Sequence, residues 1–189
     1  MKLITTLLRP CLLALLPLSA LAQDRAGNDT PGDWQVKHHR IYDIWNSICD
    51  ERTTGDVLTQ RCYLRRVDVF SGRPEFAAQF LFITPASSDW EVEFGMEAGT
   101  LFHPNGFRID IGDTTSWQTR RPGCLTGLRC RFTGQDADEL LAAMHAGGAF
   151  RFTFRDRNGN AQDLSWPLEG FPEAWEDFQA QSRQRGLWP

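Results

Sequence analysis

Lysine is almost missing from this 189-residue chain: Lys2 and Lys37 are its two, and every other basic residue is an arginine. Setting aside an N-terminal leader that carries Lys2 and Arg9 leaves 18 basic residues against 24 acidic ones, a net charge of −6. General binding to nucleic acid or to an anionic membrane calls for a net positive surface, so the charge balance argues against both. Arginine makes bidentate contacts to carboxylate or phosphate that lysine cannot. A coding genome rich in G and C gives the same bias, and both explanations stand.

Signature motifs are missing as well. There is no Gly-x-Ser-x-Gly elbow, no His-Glu-x-x-His helix, no glycine-rich phosphate loop and no EF-hand loop. This excludes the enzyme and metal-binding classes that carry those motifs. No cofactor is expected, and a non-enzymatic role is the leading reading, with an unrecognised hydrolase as a lesser one. Beyond the leader no apolar run is long enough to span a bilayer, and no repeat, low-complexity tract or linker divides the chain.

The leader itself, MKLITTLLRPCLLALLPLSALAQ, sets Lys2 and Arg9 ahead of an apolar run over residues 11–21, with small residues at Ala20 and Ala22. That is the pattern of a secretory signal peptide over residues 1–22, cut after Ala22. Only about 11 apolar residues follow Arg9, where a spanning helix needs roughly 20. Cys11 is preceded by Arg9 and Pro10 and not by a lipobox, so it leaves with the signal. Residues 23–32, QDRAGNDTPG, read as a polar, flexible leader, and residues 33–189 as one domain.

Four cysteines are left: Cys49, Cys62, Cys124 and Cys130. An even number in an exported chain implies two disulfides, with three possible pairings. Cys49 with Cys62 and Cys124 with Cys130 is favoured, because each pair closes a short local loop. In the chain-entropy view, loops of about 14 and 7 residues contribute roughly 3 and 2.4 kcal/mol. The second pair lies in PGCLTGLRC, a spacing that suits neither a thioredoxin-type Cys-x-x-Cys site nor the paired knuckles of a Cys₄ zinc site.

Turn-marked alternation supplies the fold class. WQV, IYDIWNSIC, VLTQRCYLRRVDVF, FAAQFLFIT, WEVEFGME, TLFHPNGFRIDIGD and AFRFTFRDRNGNAQDLSWPL give about eight short strands. Residues 53–56, Asn105-Gly106 and Asn158-Gly159 are the predicted hairpin turns. Residues 136–145 and 172–185 are predicted helices. The expected architecture is mainly β, an antiparallel sandwich or barrel-like domain with two short peripheral helices.

Candidate site residues are few. His38-His39 is the most tempting metal pair, but neighbours on a strand point to opposite faces. His103 is placed at a hairpin tip and His145 at a helix end. Asp110 and Asp113 could be read as paired carboxylates, although three residues across Gly112 suit a strand end better. Arg108 and Asp110, Arg151 and Arg155, and Arg129 and Arg131 could form, with Trp117, an arginine-aromatic interaction face. Cross-strand ion pairs on a solvated face would use the same residues. Trp34, Trp90, Trp166 and Trp175 are at core-facing phases, while Trp117 and Trp188 lie in less regular segments.

The order of motifs resembles the invasion-associated locus B (IalB) family. Carrying the likeness are Trp45 four residues before Cys49-Asp50, the return Cys62-Tyr63-Leu64, Gly106-Phe107-Arg108-Ile109-Asp110 ahead of Gly123-Cys124, and a late Pro167-Leu168-Glu169-Gly170-Phe171 before Ala174. The chain departs from that family's pattern at Ser47, where a valine is common. The resemblance implies an exported protein, periplasmic, secreted or peripheral at the outer membrane, with a β-rich domain and no assigned catalytic residues. Its partner would be an unknown protein or envelope component, and some relatives in pathogens are linked to entry into host cells. A small-ligand or carbohydrate-binding module is the alternative.

Overall fold

Period-two alternation builds ten strands and three helices among the described residues, which are 33–71, 77–87 and 89–188 of the computed structural model. The expected signal peptide and leader, residues 1–32, lie outside the described residues. Strands β1 (Gln35–Tyr42), β2 (Trp45–Thr54), β3 (Val57–Ser71), β4 (Ala77–Ala86) and β5 (Asp89–Met96) follow one another as antiparallel neighbours. A short β8 (Cys130–Phe132) joins the far side of β5, completing a six-stranded sheet. The remaining strands, β6 (Leu101–Ile111), β7 (Thr114–Gln118), β9 (Ala149–Arg155) and β10 (Ala161–Pro167), form a second sheet in the order β10-β9-β6-β7.

The two sheets pack through phenylalanine. In β9, Phe150, Phe152 and Phe154 alternate with Arg151, Thr153 and Arg155, so one face is wholly aromatic and buried. Phe94 of β5 meets it edge-on, its ring 4.8 Å from Phe107 and 5.5 Å from Phe150. Edge-to-face contacts suit the ring quadrupoles, and each fully buried side chain contributes about 1.5–3 kcal/mol against exposure. The molecule is a sandwich, not a closed barrel.

Helix α3 (Phe171–Gln184) covers the part of the large sheet formed by β1, β2 and β3. Trp175 and Phe178 reach Trp90, at ring separations of 4.8 and 5.2 Å. The helix stops at Gly186, whose φ of 67° only glycine adopts at little cost, and the Leu187 N–H donates back to the Ser182 carbonyl. That turn returns Trp188 onto Trp90, 4.0 Å between centroids. Helix α2 (Gln135–His145) packs its Leu140, Leu141 and Met144 into the same core.

Several sequence expectations need correction. A third helix, α1 (Pro122–Leu125), turns once inside PGCLTGLRC and carries Cys124. Its start at Pro122 fits a residue with no N–H to waste at a first turn. IYDIWNSIC is two strands: Asp43 takes φ 52° and Tyr42 pairs with Trp45 across the turn. Asn105-Gly106 makes no hairpin. Phe102 pairs with Phe154 and Phe107 with Phe152, so β6 runs on along β9 with an extra stretch bulged out between. His103 therefore sits in a strand bulge and not at a hairpin tip. Both phenylalanines are buried, and burying both against β9 outweighs the local preference for a turn. Gly106 is needed for a different reason, since a Cβ there would lie 2.2 Å from the Thr153 carbonyl oxygen.

Candidate binding face

The four late cysteines form two disulfides, Cys49–Cys62 across the β2–β3 pair and Cys124–Cys130 between α1 and β8. Cys49 and Cys62 are direct cross-strand partners, and all four sulfurs are buried.

The predicted arginine-aromatic face is divided by the structure. Arg108, Asp110, Arg151 and Arg155 share the solvent side of the small sheet, with Arg108 opposite Arg151. Their charges are used within that sheet. Arg108 Nε donates to Asp110 at 2.8 and 3.0 Å, Arg151 Nη2 to both oxygens of Asp163 at 2.8 Å, and Arg155 Nη1 to the Gly159 carbonyl at 2.9 Å. Arg131 belongs to the other sheet, paired with Glu91 at 3.2 Å and Glu93 at 3.5 Å. Arg129 is exposed in the turn before β8. Trp117 is half-buried on the inner side of β7, 5.5 Å from the Phe132 ring.

The other candidates separate likewise. His38 Nε2 lies 2.7 Å from Asp177 Oδ2 of α3, whereas His39 Nε2 lies 2.8 Å from Asn46 Oδ1. Asp110 also accepts from Thr115 Oγ1 at 2.8 Å, while Asp113 is exposed in the β6–β7 turn. His145 packs edge-on against Phe171 and Trp175, and burial lowers its pKa, opposed in part by Glu176. No group of three or more His, Cys, Asp or Glu that could hold a metal occurs among the described residues.

A different surface carries exposed apolar residues. In β4 the run Phe80-Leu81-Phe82-Ile83 sends Leu81 and Ile83 into the core, so Phe80 and Phe82 must face out. The register continues the row: Ile41 opposes Asn46, Asn46 opposes Arg65, Arg65 opposes Phe82, and Phe82 opposes Glu93. Tyr63 and Phe80 flank Phe82 at ring separations of 5.7 and 5.6 Å, forming an aromatic shelf. Val67 and Val69 extend it, 38% and 52% exposed.

Beside the shelf, charge is deeply anchored. Asp50 is 2% exposed and accepts from Arg61 Nε at 2.6 Å, Arg61 Nη2 at 2.9 Å and the Tyr63 hydroxyl at 3.3 Å. The Arg61 guanidinium lies 3.9 Å above the Trp34 ring, which is buried outside the main core. Burial, together with the nearby Asp50 carboxylate, pushes the Tyr63 phenol up to about 12, so it stays a neutral donor. The result is a trough of about 380 Å³ lined by Tyr63, Val67, Phe80, Phe82, Thr84, Arg61 and Arg65. The sequence signal was the unbroken apolar run in β4, which marks a strand apolar on both faces.

No family model matches this chain, and no curated protein sequence matches it. Among solved structures, the crystal structure of invasion associated protein B from Bartonella henselae is similar, with 14% sequence identity and a TM-score of 0.48, over 78% of this chain and 98% of that one.

Proposed function

We propose that this chain is an exported protein of the IalB type that works in the periplasm or at the cell envelope by binding another component, and that the trough on the six-stranded sheet is its contact surface. The observation that carries the reading is the aromatic shelf of Tyr63, Phe82 and Phe80, with exposed Val67 and Val69 beside it. Of these, Phe80, Val67 and Val69 are exposed, with Val67 directly opposite Phe80 and half-buried Phe82 and buried Tyr63 behind them, and grouped exposed apolar residues mark interaction sites. Export is supported by two buried disulfides behind a signal-like leader, since such bonds persist in oxidising compartments. A binding role is supported by the candidate acids, bases and arginines, which are engaged in ion pairs and turns and do not converge on one cleft.

A second reading is favoured by the same trough. Arginines beside aromatic rings, in a volume of about 380 Å³, also suit a small ligand or a sugar. The test is expression of the full chain in a Gram-negative host, followed by fractionation and native mass spectrometry. A periplasmic product beginning at Gln23, without free thiols, and carrying a second chain that is lost in Phe80→Ser, is the expected result. A co-purifying small mass supports the second reading. Cytoplasmic retention with free thiols overturns export.

A further inference from the structure

Leu128 is the most exposed large apolar residue among the described ones, at 77%, and its neighbour Arg129 is exposed as well. Both lie in the loop that the Cys124–Cys130 disulfide closes. Main-chain bonds hold that loop from inside: the Thr126 N–H donates to the Pro122 carbonyl and the Leu128 N–H to the Gly123 carbonyl, each at 3.0 Å. Between them Gly127 is buried at φ 66°, and a Cβ there would lie 3.1 Å from the Thr100 Cβ. The loop is thus clamped at its cysteines and seated on the turn between β5 and β6. The side chain that follows the seat is held outward.

A leucine on a loose turn can fold back onto its own protein, where burial is favourable. This loop lacks that freedom, so Leu128 is left for a second molecule to cover, at little cost in ordering the loop. Beside the seat, Leu101 follows Thr100 directly and is 58% exposed, on the outer face of the small sheet with its cross-strand partner Arg155. The Arg129 guanidinium, unlike those of Arg108, Arg131 and Arg151, makes no hydrogen bond or ion pair with any described residue. Its forked donors are open to a carboxylate from outside. An anionic membrane is the weaker occupant. Without the expected signal peptide the chain has 18 basic against 24 acidic residues, a charge that anionic lipid repels, and one leucine buries little area in a bilayer.

We propose that the Leu128–Arg129 loop is a docking knob for a folded partner protein, which covers Leu128 with an apolar socket and sets an aspartate or glutamate against Arg129. Leu101 lies at the rim of the same contact. This is a second contact surface, apart from the trough, and it does not rest on the role proposed for the trough.

The probe is a phage library of a small helical scaffold with randomised surface residues, selected on the disulfide-bonded mature protein. Binders that depend on Leu128 and carry an aspartate or glutamate at the contact are expected. Leu128→Ser should weaken them about tenfold or more, the loss of one buried leucine, and Arg129→Glu about fivefold or more. Both side chains are exposed, so both variants should keep the wild-type thermal midpoint. Leu58→Ser, at another exposed leucine, should leave binding unchanged. The inference is overturned if no selected binder depends on Leu128, or if the Leu128-dependent binders tolerate Arg129→Glu. Binders lost in Phe80→Ser but kept in Leu128→Ser sink this inference and leave the trough standing. Co-sedimentation with phosphatidylglycerol vesicles that is lost in Leu128→Ser would put a membrane in the place of the protein, and overturns it as well.

Discussion

The ring of Phe80 occupies the space that a side chain on Gly95 would fill. A Cβ built on Gly95 would lie 1.6 Å from Phe80 Cε2, and Phe80 pairs across the strands with Gly95 itself. The absence of a side chain in β5 is thus what lets the outward ring of β4 lie flat across its neighbour. Gly95→Val should evict Phe80 from the shelf while leaving the inward residues Leu81 and Phe94 in place. Overpacking of this kind costs about 1–3 kcal/mol. The variant should fold with a lowered midpoint and lose partner binding. Full binding with an unchanged thermal midpoint would show that the shelf is not set by this contact.

Asp50 is the most deeply buried charge on that face, and Arg61 balances it. Removing the arginine strands the carboxylate, whereas removing both removes the problem. Arg61→Met should therefore destabilise by about 3 kcal/mol or more, and Asp50→Asn in the same chain should restore a large part of it. Urea denaturation of both single variants and the double variant gives the coupling. A strictly additive cycle would mean that the pair contributes nothing jointly.

Tyr63 reports on the same pocket through pH. Its phenol titrates near 12 in the folded protein against an ordinary value of 10. Between those values the unfolded chain has lost the proton and the folded chain has kept it. Stability is therefore full below pH 10 and declines as pH rises from 10 toward 12. Tyr63→Phe should abolish that share of the decline. Phenolate absorbance appearing at two tyrosine equivalents near pH 10, with the protein still folded, counts against the buried assignment.

How far the sequence carried is clearest where one dipeptide has two outcomes. Asn158-Gly159 does turn a hairpin, with Gly159 at φ 83° and the Asp156 carboxylate accepting from the Asn158 and Asn160 amides at 2.9 Å. Asn105-Gly106 does not, because the partner of Phe102 and Phe107 lies some fifty residues away in β9 and no local pattern encodes it. The disulfides were legible because their loops are short. The arginine face was half legible: alternation placed Arg108 and Arg151 outward, but which sheet each strand joins is a long-range matter, and it sent Arg131 elsewhere. The parting of β3 from β4 beyond Leu64 and Ile83 depends on where two ladders stop, which side-chain pattern does not fix.

The cysteine pairs invite a direct chemical test. Cys49 and Cys62 have Cα atoms 4.1 Å apart as cross-strand partners, and Cys124 and Cys130 are six residues apart around α1. Peptide mapping without reduction should find these two linkages. Replacing Cys49 and Cys62 together by alanine should cost about 2–4 kcal/mol. Crossed linkages, or an unchanged denaturation midpoint, would contradict the assignment.

His145 contributes to the acid side of the stability profile. It closes α2 against the rings of Phe171 and Trp175, and desolvation there lowers its pKa below the ordinary 6.5, with Glu176 pulling the other way. In the window below 6.5 the unfolded chain takes up a proton that the folded chain resists. The unfolded state then binds more protons, so stability rises with pH across the window and levels off above 6.5. Asp156 contributes no slope there. Burial alone would raise its pKa, but hydrogen bonds from Gln162, Asn160 and Asn158 outweigh burial and hold it below 3.8. Its contribution, present above 3.8, is lost only as pH falls further. His145→Gln should therefore flatten the stability profile between pH 6.5 and 5 and leave the loss below pH 4 intact. Urea midpoints measured at pH 7.5, 6, 5 and 3.5 for the wild type and the variant decide it: an identical slope in both proteins between pH 6.5 and 5 would remove His145 as the cause.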